Sequence, residues 1–149
     1  MNINVNIAIA ALSLACFSAQ AHAQSAHSGH VQAESLPAPQ FDAKGIARTE
    51  TVRSDFDGKR QAIQVRVDFA PAASFPKHSH PGAEIAYVLN GSLEYEMDGK
   101  IIRLKAGESL YIPAGVVHSG RNIGSGVTSE LATYLVDKDK PIVILERER

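Results

Sequence analysis

The chain has a single cysteine, Cys16. One thiol cannot form a disulfide within the chain, and Cys16 lies in an N-terminal segment that we expect to be removed. Histidine, carboxylate and hydroxyl groups must therefore carry any chemistry of the remaining chain.

An excess of basic residues is also missing. The chain has 15 Lys and Arg against 16 Asp and Glu, which gives a net charge of -1. Proteins that bind nucleic acid usually present a basic patch interleaved with aromatic residues, and no stretch of this sequence has that pattern. We expect no nucleic-acid partner.

Long hydrophobic runs are absent as well. The first 23 residues contain no Asp, Glu, Lys or Arg, and the apolar run from Ile7 to Phe17 is too short to span a bilayer. Ala21-His22-Ala23 fits the small-x-small pattern that precedes signal-peptide cleavage. We predict a signal peptide over 1–23, cleaved between Ala23 and Gln24, a periplasmic or secreted protein, and no transmembrane segment in the mature chain.

Other interpretations of this N-terminal segment are weaker. A lipoprotein signal centred on Cys16 would require leucine where Ser13 stands, and the asparagines among the first six residues interrupt the apolar face of any buried helix. One feature disfavours a signal peptide: Lys44 is the first basic residue, so the positive charge at its start depends on the α-amino group of Met1 alone.

After residue 23 the composition changes twice. Residues 24–40 are rich in Ser, Ala, His, Gly and Pro, which predicts a flexible leader. His27 and His30 lie in this leader and are expected to be solvated. From residue 41 onward the sequence consists of short apolar runs separated by turn residues, and no stretch has helical periodicity over three turns. The length suits one domain.

The apolar runs predict strands. Residues 61–69 alternate strictly, with Ile63, Val65 and Val67 on one face, whereas residues 84–90 are apolar on both faces, which predicts cover on both sides. Asn90-Gly91 and Asp98-Gly99 are typical of hairpin turns. Further runs are at 101–104, 109–112, 116–118, 128–136 and 142–145. Many short strands with glycine-rich turns predict an all-β sandwich or small barrel.

Three histidines and one glutamate have spacing that favours a metal site. His78 and His80 are two residues apart, so on a strand they project from the same side. Pro81-Gly82 then bends the chain, since glycine tolerates positive φ, and Glu84 can return beside them. His118 would come from a neighbouring strand. Burying these groups without partners would be costly, and a divalent metal ion satisfies all four.

The same residues lie in motifs that resemble those of the cupin superfamily. The first is His78-x-His80-x3-Glu84-x6-Gly91, and the second is Gly107-x5-Pro113-x-Gly115-x2-His118-x3-Asn122, with fifteen residues between them. The one departure is Ala72, where the first motif begins with glycine. Because it affects only a turn, we expect it to matter little.

This resemblance implies a single cupin domain over 41–149, with motifs at 72–91 and 107–122. The implied fold is a jelly roll, or double-stranded β-helix. His78, His80, Glu84 and His118 would bind a divalent metal inside it, and Glu84 could also accept a proton. The metal could be Fe, Mn, Ni, Cu, Co or Zn. Zinc with four ligands could close the site, whereas an octahedral ion keeps two positions free.

Three functions remain open at this stage. The first is a dioxygenase-like enzyme resembling the quercetinase type of cupin, acting on a small molecule. The second is a redox-neutral lyase, isomerase or decarboxylase acting on a sugar acid or similar oxyanion. The third is a cupin that binds metal or ligand without catalysis. Fold and motif are shared among them, because function depends on the pocket walls.

Several other residues are weaker candidates. Tyr87, Tyr95, Tyr111 and Tyr134 could each place a phenol near the metal, but a tyrosine that alternates with aliphatic residues is usually part of the core. Gln64 and Arg66 could orient a carboxylate, although a solvated sheet face is the more common role. For Asn122 we expect a structural role in a turn.

The sequence also indicates self-association. The run from Ile85 to Leu89 is apolar on both faces, and residues 142–145 form a second apolar strand. Both need cover that a small barrel does not fully supply. We predict a homodimer.

Overall fold

The computed structural model describes residues 37–147, and every regular element in this range is a strand. The strands are β1 (Ile46–Asp55), β2 (Arg60–Phe69), β3 (Ser74–Ser79), β4 (Ala83–Asn90), β5 (Ser92–Met97), β6 (Lys100–Lys105), β7 (Ser109–Ile112), β8 (His118–Asn122), β9 (Thr128–Asp137) and β10 (Ile144–Leu145). The predicted signal peptide, His27, His30 and most of the predicted leader lie outside the described residues.

The strands form two antiparallel sheets of five strands each. The first has the order β1-β2-β9-β4-β7, and the second has the order β10-β3-β8-β5-β6. Successive strands of the chain alternate between sheets at several points, as in a jelly roll, so the all-β jelly-roll prediction is confirmed. None of the described residues belongs to a helix long and apolar enough to cross a membrane.

The core lies between the two sheets and follows from strand alternation. On β2, Ile63, Val65, Val67 and Phe69 are buried, as their spacing predicts. The inward faces of the other strands complete the core with Ala86, Val88, Leu93, Ile112, Ala132, Tyr134 and Val136.

One hairpin prediction is confirmed and the other is wrong. Asp98 and Gly99 both have positive φ and join β5 to β6, which pair directly. Asn90-Gly91 joins β4 to β5, but these strands lie in different sheets. Gly91 has a φ of 79° and packs against Thr128, so it lets the chain cross between sheets. An isolated turn signal does not distinguish a hairpin from a crossing.

Two further strand predictions need correction. Of the run 116–118, only His118 belongs to a strand, as the first residue of β8. The residues before it lie in a turn with Pro113 and Gly115, in which the Val116 N–H donates to the Pro113 carbonyl. On β4, Ala86 and Val88 are fully buried, but Ile85, Tyr87 and Leu89 are exposed. Within residues 37–147, β4 is therefore covered on only one face.

Candidate metal centre

Two neighbouring strands of the second sheet, the loop that follows one of them and a strand of the first sheet bring the four predicted residues together. His78 on β3 lies directly opposite His118 on β8, and their ring centroids are 4.1 Å apart. His80 follows the end of β3, and Glu84 is near the start of β4. All four are buried, and one donor atom from each lies within 4.8 Å of the others.

Local backbone features set these positions. The β3–β8 register shifts between Phe75 and His78, and Pro76, which has no N–H to donate to the ladder, lies within this irregularity. Gly115 has a φ of 74°, and its N–H donates to the backbone carbonyl of His80 at 2.9 Å. This bond joins the loop before His118 to the segment that holds His80.

Gly82 has a different role from the one expected from sequence. Its φ is not among the positive values, so left-handed geometry is not the reason for glycine here. A Cβ at this position would lie 1.9 Å from the Leu135 carbonyl oxygen of β9. Glycine is needed because the bend before Glu84 passes against a neighbouring backbone.

The three imidazoles share one tautomer. Each ring places its Nδ1 against a backbone carbonyl, which can only accept a hydrogen bond, so each Nδ1 carries the proton. In the neutral form of each ring, Nε2 therefore presents a lone pair. The acceptors are the carbonyls of Pro76 for His78 at 2.8 Å, Ile142 for His80 at 2.5 Å and Val116 for His118 at 3.0 Å.

The lone pairs meet a carboxylate oxygen, which is also an acceptor. Glu84 Oε2 lies 2.7 Å from His80 Nε2 and 3.2 Å from His118 Nε2. Neither His80 Nε2 nor Glu84 Oε2 has a hydrogen-bond partner among the described residues. Acceptors this close repel one another unless a cation or proton lies between them. The donor set therefore fits a divalent metal ion, and the cluster is able to hold one.

Protonation states agree with this fit. Burial, followed by the nearby His118, lowers the pKa of His78 to about 4, so this imidazole is neutral at pH 7. Burial alone would raise the pKa of Glu84, but positive charge and hydrogen bonding at His118 and His80 outweigh it and hold the pKa well below its ordinary value. A metal ion between the same donors would supply that positive charge when the rings are neutral. Neutral imidazole and ionised carboxylate are the forms that bind metals.

A narrow pocket with a cavity volume of about 20 Å³ adjoins the cluster. His78, Glu84 and His118 are among its lining residues, together with Phe75, Tyr95 and Tyr134, whereas His80 does not line it. A cavity of this volume is about the size needed for a water molecule and lies far below the usual range of small-molecule sites. One side of the cluster thus faces a small cavity.

The structure separates the four candidate tyrosines into two pairs. Tyr95 and Tyr134 are buried and line the pocket, whereas Tyr87 and Tyr111 are exposed on the outer surface. The Tyr134 ring also packs against His80, with centroids 4.8 Å apart. Burial is the main cause that raises the pKa of both Tyr95 and Tyr134, so both phenols stay protonated.

The remaining candidates have structural roles. The Gln64 amide donates to Thr133, and Arg66 pairs with Asp68. Asn122 confirms the turn prediction, since its side chain bridges the segment that leads into β9. It donates to the carbonyls of Phe69, Ala70 and Gly126, and it accepts from the Gly124 N–H and the Thr128 hydroxyl.

Sequence reasoning missed two charged residues of the pocket wall, Arg48 and Glu130. Glu130 had a detectable signal, because it shares strand parity with the buried residues Ala132 and Tyr134, and a charged residue on an apolar face is unusual. Arg48 lies on β1, a strand that the sequence pattern did not predict.

Glu130 forms a buried pair with Tyr95, whose hydroxyl donates to the Glu130 carboxyl group. Burial is the main cause that raises the pKa of Glu130 to about 8, and the charge of Glu84 adds to it. Glu130 is therefore mostly neutral at pH 7, in contrast to Glu84.

Comparisons with known proteins agree with this architecture. The family model Cupin_2, described as "Cupin domain", matches residues 65–134. Germin-like protein subfamily 2 member 2 of Arabidopsis thaliana is 37% identical over 75 residues, which cover 46% of this chain and 34% of that protein. Oxalate oxidase GF-2.8 of Triticum aestivum is 35% identical over 78 residues, covering 46% and 35%. The chain thus spans about a third of the length of these curated relatives.

Solved structures share the fold over more of the chain. The structure of KdgF from Halomonas sp. has a TM-score of 0.59 and 22% identity, and it covers 69% of this chain and 89% of its own. A predicted oxalate decarboxylase from Thermotoga maritima has a TM-score of 0.54 and 26% identity, covering 61% and 80%. With its two-sheet jelly roll and its cluster of three histidines and a glutamate, the chain belongs to the cupin superfamily.

Proposed function

We propose that this chain is a metal-dependent cupin enzyme in which His78, His80, Glu84 and His118 bind one divalent ion. One observation carries this proposal: three Nε2 lone pairs and an ionised carboxylate converge, two of their atoms lack any partner among the described residues, and one side faces a pocket. A purely structural polar cluster would have its hydrogen bonds satisfied.

For the reaction we propose dioxygenase-like oxidation of a small molecule. A bound metal would supply Lewis acidity and, for a redox-active ion, electron transfer. The chain's own residues hold the imidazoles in one tautomer, keep Glu84 ionised, and enclose the site with Phe75 and Tyr134. Glu84 could also accept a proton from the substrate. The likeness to an oxalate oxidase supports an oxidative reaction on a small, oxygen-rich substrate.

The test is oxygen uptake by protein loaded separately with Mn²⁺, Fe²⁺, Ni²⁺, Co²⁺, Cu²⁺ or Zn²⁺. Substrates would include oxalate, enediols and catechols. We expect uptake with at least one redox-active ion and none in His118→Ala, which removes a ligand. The absence of uptake with every ion and substrate would contradict the oxidative proposal.

A redox-neutral reaction is the second candidate, and one observation favours it. Decarboxylases and isomerases that act on acids deliver a proton to carbon, and Glu130 is a neutral acid within the same pocket. Consumption of a uronate or other sugar acid without oxygen uptake would support this reaction over oxidation.

We also propose that the cupin domain extends over 41–149, after a signal peptide over 1–23 and a leader over 24–40. At the end of this leader, the Pro37 carbonyl accepts a hydrogen bond from Arg66 on β2. Export in unfolded form would make the metal depend on what is available outside the cytoplasm, where copper and zinc compete best. The mass and metal content of protein isolated from the periplasm test both points, and a mass that includes residues 1–23 would contradict cleavage after Ala23.

A further inference from the structure

Arg48 and Glu130 line the pocket but do not belong to the metal cluster. Both lie in one row across the first sheet, because Arg48 on β1 pairs with Val67 on β2, and Val67 pairs with Glu130 on β9. Side chains in one such row point to the same face. Two strand spacings place their Cα atoms about 10 Å apart, so both side chains can reach the space over Val67.

The Arg48 side chain lies at the exposed edge of this pocket. Its guanidinium is 5.5 Å from the centre of the Phe75 ring, which holds it across the pocket wall. Five other arginines pair with carboxylates, namely Arg53, Arg60, Arg66, Arg103 and Arg121. Arg48 has no ion pair within residues 37–147. Its planar group of N–H donors therefore remains available for a bidentate anion.

Glu130 is only 5% exposed, and it lies on the inner face of the first sheet. Tyr95 donates to its Oε2, whereas its Oε1 accepts no hydrogen bond from the described part of the chain, and the residue borders the pocket. In the metal-free protein, burial favours the neutral form against the opposing charge of Arg48, and one carboxyl oxygen then carries a proton that can be donated. Arg48 and Glu130 thus both present donors to the pocket.

We propose that Arg48 and Glu130 form a carboxylate clamp, so that the substrate is a small organic acid whose carboxylate lies between them. A second oxygen function of the same molecule would then face the four donors of the metal cluster. This inference rests on the proposed metal-dependent function and adds the substrate class to it. The cavity volume is only about 20 Å³, which restricts the ligand to the smallest acids.

The first experiment measures binding of acids by calorimetry to protein loaded with Mn²⁺ or Zn²⁺. The probes are oxalate, malonate, succinate and glutarate, together with catechol, which is neutral at pH 7 and has no carboxylate. For the dicarboxylate that binds most tightly, we expect Arg48→Gln to weaken binding at least tenfold and Arg48→Lys to have an intermediate effect. Catechol binding should change less than twofold.

Arg103→Gln is the matched control, because Arg103 pairs with Glu94 and does not line the pocket. This variant should bind every probe as the wild type does. Arg48 is exposed, so Arg48→Gln should fold and load metal normally. Equal affinity of wild type and Arg48→Gln for the dicarboxylate would overturn the clamp.

Substitution of Glu130 tests the second half of the clamp. Glu130→Gln keeps the shape and one set of donors, so we expect dicarboxylate affinity within about threefold of wild type, whereas Glu130→Ala should weaken it at least tenfold. If Glu130 were ionised it would repel the ligand, and Glu130→Gln would then tighten binding. Tenfold tighter binding by Glu130→Gln would therefore contradict this role.

These outcomes are separable from those of the proposed function. Protein that binds metal and dicarboxylates but consumes no oxygen would retain the clamp and refute the oxidation. Protein that binds metal and catechol but no dicarboxylate would refute the clamp alone. Protein that binds no metal would refute the metal-dependent function, and the clamp with it.

Discussion

At the scale of single residues, the candidate centre depends on which atom of each ring carries a proton. The residue types alone leave both tautomers of a neutral histidine possible. In the fold, backbone carbonyls fix Nδ1–H in His78, His80 and His118. All three Nε2 atoms are then free to bind a metal without any further rearrangement of the rings, which is a form of preorganisation.

Glu84 provides the first test at this scale. Glu84→Gln removes the only charged donor of the cluster, and we expect metal affinity to fall by more than the roughly 10- to 100-fold typical of losing a group that only orients a ligand. Glu94→Gln is the control, since Glu94 pairs with Arg103 and Arg121 away from the cluster. Metal content after dialysis, together with competition against a chelator, measures the difference. Equal metal affinity in the two variants would contradict the assignment.

The shifted pKa values of two buried groups, His78 and Glu130, predict how the stability of the metal-free protein depends on pH. His78 has its pKa lowered from 6.5 to about 4, so its contribution to stability is lost as pH falls from about 6.5 to 4. Glu130 has its pKa raised from 4.5 to about 8, so its contribution is lost as pH rises from about 4.5 to 8. Between pH 4.5 and 6.5 the two effects oppose each other. Above pH 6.5 the effect of Glu130 acts without that of His78.

We therefore expect the free energy of unfolding of metal-free wild type to fall by about 2 kcal/mol between pH 6.5 and 8. Glu130→Gln has no such group and should show little change over this range. Urea unfolding in the presence of a chelator measures both proteins. The same decrease in the variant would show that other groups titrate.

At the scale of structural elements, the bend between β3 and β4 links backbone packing to the site. Gly82→Ala would place a Cβ 1.9 Å from the Leu135 carbonyl oxygen. We expect a destabilisation of about 2 to 3 kcal/mol and weaker metal binding, because the bend positions Glu84. Gly126→Ala is the control, since a Cβ at Gly126 would have no atom within 4 Å and the φ of this residue is not positive. Urea unfolding and metal titration should separate the two variants.

The turn between β2 and β3 gives the opposite prediction. Ala72 has a φ of 61°, a region that disfavours residues with a Cβ. This is the position where the cupin motif begins with glycine, so the substitution does carry a local cost. Ala72→Gly should stabilise the protein by about 0.5 to 1 kcal/mol. Ala106→Gly is the control, because Ala106 is exposed and does not have a positive φ. This substitution should be neutral or destabilising in the same urea experiment.

Sequence patterns predicted those elements whose signals are local. Strict alternation identified β2 and its buried face, and the motif spacing identified the four donors that the fold brings together. Strand β1 was not predicted, because its last four residues, 52–55, are exposed on both faces and show no alternation. Arg48 was missed with it. Pairing between distant strands also determines whether a turn forms a hairpin, and for this reason Asn90-Gly91 was misinterpreted.

At the scale of the whole molecule, one sheet face is left uncovered by the part of the chain that the structure describes. Ile85, Tyr87 and Leu89 of β4 project outward, and Tyr111 of β7 pairs directly with Ile85. Ile85 is 43% exposed and Tyr111 is 60% exposed. We call these four residues the outer apolar face. Tyrosine beside aliphatic side chains is a composition typical of protein interfaces rather than of solvated sheet surfaces.

The outer apolar face should therefore pair with a second copy of the chain, as the sequence predicted from the doubly apolar run 85–89. A two-fold arrangement would bury β4 on both faces and keep the pocket, which opens between the sheets, free for substrate.

Tyr87→Lys places a charge at the centre of the outer apolar face. The Tyr87 side chain already points outward, so the fold should be retained. We expect wild type to have the mass of a dimer by light scattering at micromolar concentration, and Tyr87→Lys to have half that mass. Ile101→Lys, at an exposed position on β6 in the other sheet, should remain dimeric. A wild-type monomer under these conditions would refute the interface, and dissociation of both variants would place the interface elsewhere.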